Sequence, residues 1–113
     1  MQVFFSEYFK KQLHKLKKKF PSVKEDLLYA LKSLNVENEI SIGRSVYKIR
    51  IGSRDMKKGK SGGFRAYIYF YRKKDLLVPL CIYAKSDKES ITDNELKFHF
   101  DKMIEELVQS FLY

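Results

Sequence analysis

Apolar residues in the first third of the chain recur at helical spacing. Phe9, Leu13, Leu16 and Phe20 share one face, lysines fill the other, and Ser6 is placed to cap a helix running to about Lys19. Pro21 ends it. Ser22-Val23-Lys24-Glu25 then reads as a capping box for a second helix to about Leu34, with Val23, Leu27, Ala30, Leu31 and Leu34 on its apolar side. Two amphipathic helices joined this tightly predict a hairpin. A short apolar run, Val3 to Phe5, precedes them, and the polar stretch NVENEISIG follows as a connection.

Three segments rich in β-branched and aromatic residues come next: VYKIRIG (46–52), FRAYIYFYR (64–72) and LLVPLCIYAK (76–85). KKD between the last two reads as a hairpin turn. Asp93 is placed to cap a final helix over about 94–111, with Leu96, Phe100, Met103, Ile104, Leu107 and Phe111 on its stripe. No internal repeat or linker interrupts this order. It predicts one α+β domain over residues 1–113, with a short strand and a helix hairpin packed on an antiparallel sheet and a C-terminal helix behind them.

Because side chains alternate between the faces of a sheet, strand parity divides these segments. Phe64, Ala66, Ile68 and Phe70 form one apolar set, and Leu76, Val78, Leu80, Ile82 and Ala84 form another; Tyr47, Ile49 and Ile51 complete the expected core face. The opposite sets are Lys48 and Arg50, then Arg65, Tyr67, Tyr69 and Tyr71, then Tyr83 and Lys85. Three strands thus send cations and tyrosines to one surface. Arg72, on the other parity beside the turn, is expected to be neutral to function.

Charge sharpens that picture. The chain carries a net +9, yet residues 44–74 hold eleven Lys or Arg against a single Asp, while residues 75–113 hold four against eight acids. A positive field this concentrated attracts polyanions, so nucleic acid is the first partner to expect. A 44% apolar share fits a globular fold. No apolar run is long enough to span a membrane and no secretory leader is legible, so the expectation is a cytoplasmic protein without a membrane partner. Cys81 is the only cysteine and sits in an apolar run, where an inert thiol is expected. His14 and His99 lie on separate helices without a second ligand at helical spacing. Neither a metal site nor a cofactor is expected.

The stretch KKGKSGGFRAYIYFYRKK (57–74) concentrates the question. Gly59-Lys60-Ser61 suggests a nucleotide loop, but Arg54 stands where the first glycine of that motif belongs, and the chain continues into a strand instead of a helix. RNA fits better. Cleavage through the strand's own 2′-hydroxyl needs help to deprotonate the nucleophile, to protonate the departing 5′-oxygen and to neutralise the phosphorane between them. Arginine suits the last task because its fork matches two phosphate oxygens. Lysines crowded by other cations suit proton transfer, and tyrosines can stack on bases or relay a proton.

Residues 44–107, from YKIRIG through GKSGGFRAYIYF to LLVPLCIYAKSDKESIT and the following helix, resemble the RelE/ParE superfamily of toxins, and within it the HigB-like branch of the RelE toxins. GKSGGFR followed by IYAKSDKES is the more specific part of the likeness. The resemblance implies a type II toxin that cleaves mRNA on the ribosome, works without metal, and is held inactive by a cognate antitoxin. It assigns phosphate contact to Arg65, matches Lys57, Lys58 and Lys60 to the loop lysines without fixing which does chemistry (Lys58 and Lys60 are the candidates taken), and matches Lys85, or else Lys88, to the basic residue ending the last strand. RNA binding falls to Lys57, Lys88, Lys48, Arg50, Tyr67 and Tyr83. After the last strand the chain departs from the best-known RelE pattern: Ser86, Lys88 and Ser90-Ile91-Thr92 stand where an arginine and a tyrosine assist. This leaves the acid and base open, with Tyr83 or Tyr67 as substitutes. A non-catalytic protein on the same fold, inhibiting gyrase as in the ParE branch, is the alternative, and a degenerate toxin that keeps only its antitoxin contact is a third.

Overall fold

The elements fall in the expected order in the computed structural model, which describes residues 2–56 and 62–112. Strand β1 (Gln2–Val3) leads into helices α1 (Glu7–Lys17) and α2 (Val23–Lys32), then strands β2 (Ile40–Ser41), β3 (Val46–Ile51), β4 (Phe64–Tyr71) and β5 (Leu76–Ala84), and helix α3 (Asp93–Leu112). The five strands form one sheet in the order β1-β5-β4-β3-β2. β2 to β5 pair antiparallel, while β1 lies parallel to β5 at the edge, so the sheet is mixed. β2 falls inside the stretch expected to be a polar connection.

Helices cover both faces. On one, Phe9 and Leu13 of α1 and Val23, Leu27 and Leu31 of α2 meet Tyr47, Ile49, Ile51, Phe64, Ala66, Ile68 and Phe70. Phe9, Leu27 and Phe64 have no exposed surface, and each contributes about 1.5–3 kcal/mol through its burial. On the other face, Met103 and Leu107 of α3 pack on Leu76, Val78, Leu80 and Cys81.

That second cluster corrects the expected parity of β5. Leu76, Val78 and Leu80 face α3, while Leu77, Ile82 and Ala84 face α1 and α2. A bulge causes the switch: Tyr67 opposes Cys81 and Ile68 opposes Pro79, which leaves Leu80 as the extra residue. Alternation therefore restarts midway along the strand. Tyr83 and Lys85 keep the face the sequence predicts for them, and the first half of the strand does not.

Helix ends also depart from expectation. Ser6 does cap α1, its Oγ accepting from the Phe9 N–H at 3.0 Å. Ser22 makes no side-chain cap for α2; its own N–H instead donates to Asp55 Oδ2 at 2.7 Å. Asp26, 7% exposed, accepts from the Arg54 N–H at 3.1 Å and from Arg54 Nε at 2.9 Å. The chain leaving β3 is thereby tied to α2 at two points. Asp26→Ala strands the Arg54 N–H and should lower stability by about 1–3 kcal/mol in urea titration. Arg54→Ala keeps that N–H and should cost less.

The cap of α3 is Thr92, not Asp93. Thr92 Oγ1 accepts from the Glu95 N–H at 3.1 Å, and Glu95 Oε1 accepts from the Thr92 N–H at 3.0 Å, a reciprocal capping box. Further along, Glu106 accepts from the Glu7 and Tyr8 N–H groups at 2.6 and 3.0 Å, placing a carboxylate at the N-terminus of α1. Tyr8 Oη and His99 Nδ1 meet at 2.6 Å. Burial lowers the His99 pKa, with Glu95 opposing and Lys88 assisting. The folded state thus binds the neutral ring. Its contribution is complete above the unfolded value near 6.5 and is lost as pH falls below it. Urea midpoints should therefore drop between pH 7 and pH 5, and His99→Leu should reduce that pH-dependent part of the drop.

Candidate functional site

β3, β4 and β5 bring the expected cations and tyrosines onto one face in two cross-strand rows. Arg50 opposes Arg65, which opposes Tyr83; Lys48 opposes Tyr67, which opposes Cys81. Like charges set directly opposite on one face repel. Among the described residues, ion pairs join Lys10 to Glu7, Arg54 to Asp26, Lys88 to Glu95 and Lys97 to Asp101, and none reaches Lys48, Arg50, Arg65 or Lys85. Arg65 is 6% exposed, and its Nε has no hydrogen-bond partner. A covered, incompletely bonded guanidinium beside a second arginine is unfavourable in the free protein, and an anion would relieve it.

The tyrosines continue the pattern. The Tyr67 and Tyr83 rings stack with centroids 6.5 Å apart. Lys48 Nζ lies 6.0 Å from the Tyr67 ring centre and Lys88 Nζ 5.9 Å from that of Tyr83, so a cation flanks each end of the pair. Tyr67 is only 4% exposed, which closes its ring to base stacking in this arrangement; Tyr83 is half-buried. The Tyr83 hydroxyl is buried beside the Tyr67 side chain. Burial first, and the neighbouring Tyr67 next, push its pKa up, so the phenol stays protonated at neutral pH. Tyr69 and Tyr71 stack on each other, and Tyr69 meets Phe100 of α3 edge-on at 5.3 Å, so these two serve α3 packing.

Lys85 and Lys88 follow β5. The Lys85 N–H donates to the Gly63 carbonyl at 3.0 Å. A Cβ on Gly62 would lie 2.9 Å from Lys85 Cδ, so the missing side chain is what lets Lys85 lie there. Lys88 pairs with Glu95 at 2.8 Å, and this contact is the leading reason the Glu95 carboxyl is held down at about 2. Sequence reasoning missed Glu95 and the room Gly62 leaves for Lys85. Thr92-Asp93-Asn94-Glu95 carries the T-x-x-E signature that announces the first; the second becomes legible only once Lys85 is placed. Lys57, Lys58 and Lys60 lie outside the described residues. Cys81 is buried, and burial pushes its thiol up to about 12, as befits a packing residue. Arg72 is not idle, since it donates to Tyr47 Oη at 2.8 Å and lies 4.9 Å from the Phe70 ring centre. Among the described residues no three His, Cys, Asp or Glu side chains group as metal ligands, and no helix is long and apolar enough to cross a membrane.

The arrangement can bind phosphate through Arg50, Arg65 and Lys85, and it offers a protonated phenol beside that position. No curated protein sequence matches the chain. Among solved structures it is similar to an arginine-to-alanine double mutant of the E. coli toxin RelE in the free state, with TM-score 0.51 and 17% identity over 92% of this chain and 94% of that one. A family model described as the RelE toxin of the RelE/RelB toxin–antitoxin system matches residues 1–110. With that match spanning nearly the whole sequence, the chain belongs to the RelE toxin family.

Proposed function

We propose that this toxin is a ribosome-dependent endoribonuclease that cleaves mRNA without metal, in the cytoplasm, and is neutralised by a cognate antitoxin. The GKSGGFR and IYAKSDKES segments favour the HigB-like branch. The observation that carries the reading is the Arg50–Arg65 row, two cations opposed on one sheet face with no carboxylate among the described residues to neutralise them. In the reaction the RNA 2′-oxygen forms a bond to phosphorus, the bond to the 5′-oxygen breaks, and the products are a 2′,3′-cyclic phosphate and a free 5′-hydroxyl. Arg65 and Lys85 stabilise the charge gathering on the phosphorane oxygens. Tyr83 lies opposite Arg65 across the strands and, although burial weakens it as an acid, can donate to the departing 5′-oxygen, which is the stronger base. Lys58 and Lys60 are the candidates for taking the 2′-hydroxyl proton. Lys48, Arg50, Lys57 and Lys88 guide the strand, while buried Tyr67 supports the Tyr83 ring on which it stacks.

Primer extension on mRNA from a translating extract, with and without the purified protein, tests this reading. New 5′ ends that appear only on translated message support it. Intact message together with inhibited DNA supercoiling would establish the ParE-like alternative instead. Ribosome association should also weaken steeply as salt is added, because phosphate contacts release counterions. Affinity that stays flat across the salt series would count against a phosphate-dominated interface.

A further inference from the structure

We infer that Gln12, on α1, is a positioning residue for the Arg65 face. By holding the bulge of β5, it keeps Tyr83 and Lys85 there in place of Ile82 and Ala84. Gln12 Nε2 donates to the Leu80 carbonyl at 3.1 Å, and Gln12 Oε1 accepts from the Ile82 N–H at 3.2 Å. β1 pairs with β5 only at Leu76 and Leu77. Past that point the edge has no strand partner, and the Gln12 amide supplies the donor and acceptor a neighbouring strand would. It does so at the bulge, where Leu80 is the extra residue.

The competing register is easily written. If the pairing set at the hairpin, Tyr71 with Leu76 and Ile68 with Pro79, ran on without a bulge, Arg65 would oppose Ile82 and Phe64 would oppose Tyr83. A one-residue slip turns every later side chain to the other face. Tyr83 and Lys85 would then point into the α1 and α2 core. Leu80, Cys81 and Ile82 are all apolar and can be buried in either register, so the pattern of β5 alone specifies the bulge weakly. Gln12 bonds the two backbone groups that are correctly placed in only one register.

The rate effect rests on the endoribonuclease reading; the register effect does not. Both can be followed in Gln12→Met and Gln12→Glu. In the native register Ala66 faces Ile82 and Phe64 faces Ala84 as pairs that exchange no ladder bonds, which brings their Hα atoms close enough for NMR contacts. Gln12→Met should weaken those contacts and slow cleavage by about 10–10²-fold. A protonated carboxyl offers the same donor and acceptor as the amide. In the NMR contacts the Gln12→Glu defect should therefore shrink as pH falls from about 7 to about 4, through the ordinary glutamate pKa of about 4.3, while that of Gln12→Met stays constant. Contacts and cleavage at wild-type level in both variants would overturn the inference, as would a lost register with wild-type cleavage. If Gln12→Met does not fold, Gln12→Glu at low pH still decides. If the wild-type protein cleaves no message, the endoribonuclease reading fails, and the NMR contacts alone test the clamp.

Discussion

Arg65→Ala should cleave message about 10²–10³-fold more slowly than wild type, the usual loss for one donor to transition-state charge, and should melt no lower. The pairing of these two outcomes makes the test specific. An ordinary buried side chain stabilises the fold, so its truncation lowers the melting temperature. Arg65 is buried with Nε unbonded and faces Arg50 across the strands. Its removal deletes a repulsion and an unsatisfied donor, which offsets the packing lost. Function and stability trade against one another at such positions. Arg65→Lys should recover little activity, because an ammonium cannot reproduce the fork of a guanidinium. Arg72 makes a poor silent control, given its bond to Tyr47; Lys32, exposed at the end of α2, is a better one. Single-turnover cleavage and thermal melting of the three variants would separate the possibilities. Wild-type cleavage by Arg65→Ala would remove Arg65 from the reaction.

Much of this surface could be read from alternation alone. Lys48, Arg50, Arg65, Tyr67 and Tyr83 share a face because β3, β4 and the second half of β5 are regular. The first half of β5 was not legible, because its bulge is held by α1, remote in sequence, and an all-apolar strand carries no local sign of an extra residue. Helix ends failed for a related reason. Ser22-Val23-Lys24-Glu25 has the composition of a capping box, yet Asp55, far along the chain, takes the Ser22 N–H. At α3 the local signal was present and misplaced by one residue, since Thr92 with Glu95 makes the box and Asp93 opens the helix. Lys88, expected to face the RNA, is also tied to α3 through Glu95. Burial of Tyr67 and Arg65 could not be foreseen from parity, because parity assigns a face and says nothing of how closely that face is covered.

The two glycines ahead of Arg65 should separate stability from function. Gly63 has φ +74° and is buried, and a Cβ built there would collide with the Ile51 carbonyl oxygen and fall 3.1 Å from its carbon. Those are backbone atoms of β3, which cannot swing aside as a side chain would. Gly63→Ala must separate the start of β4 from the end of β3, or drag its own residue out of register. Either response disturbs the Gly63 carbonyl that accepts from Lys85. A loss of about 3 kcal/mol or more is expected, in the range reserved for steric and backbone failures. Gly62 has a similar φ, +71°, but its nearest obstacle is the flexible Lys85 side chain. Gly62→Ala should therefore cost only the left-handed backbone strain, about 1–2 kcal/mol, while displacing the Lys85 side chain. Urea titration should rank Gly63→Ala far below Gly62→Ala in stability, and cleavage by the folded Gly62→Ala protein should still fall. A Gly63→Ala variant as stable as Gly62→Ala would mean that β3 and β4 do not approach this closely where they enter the site.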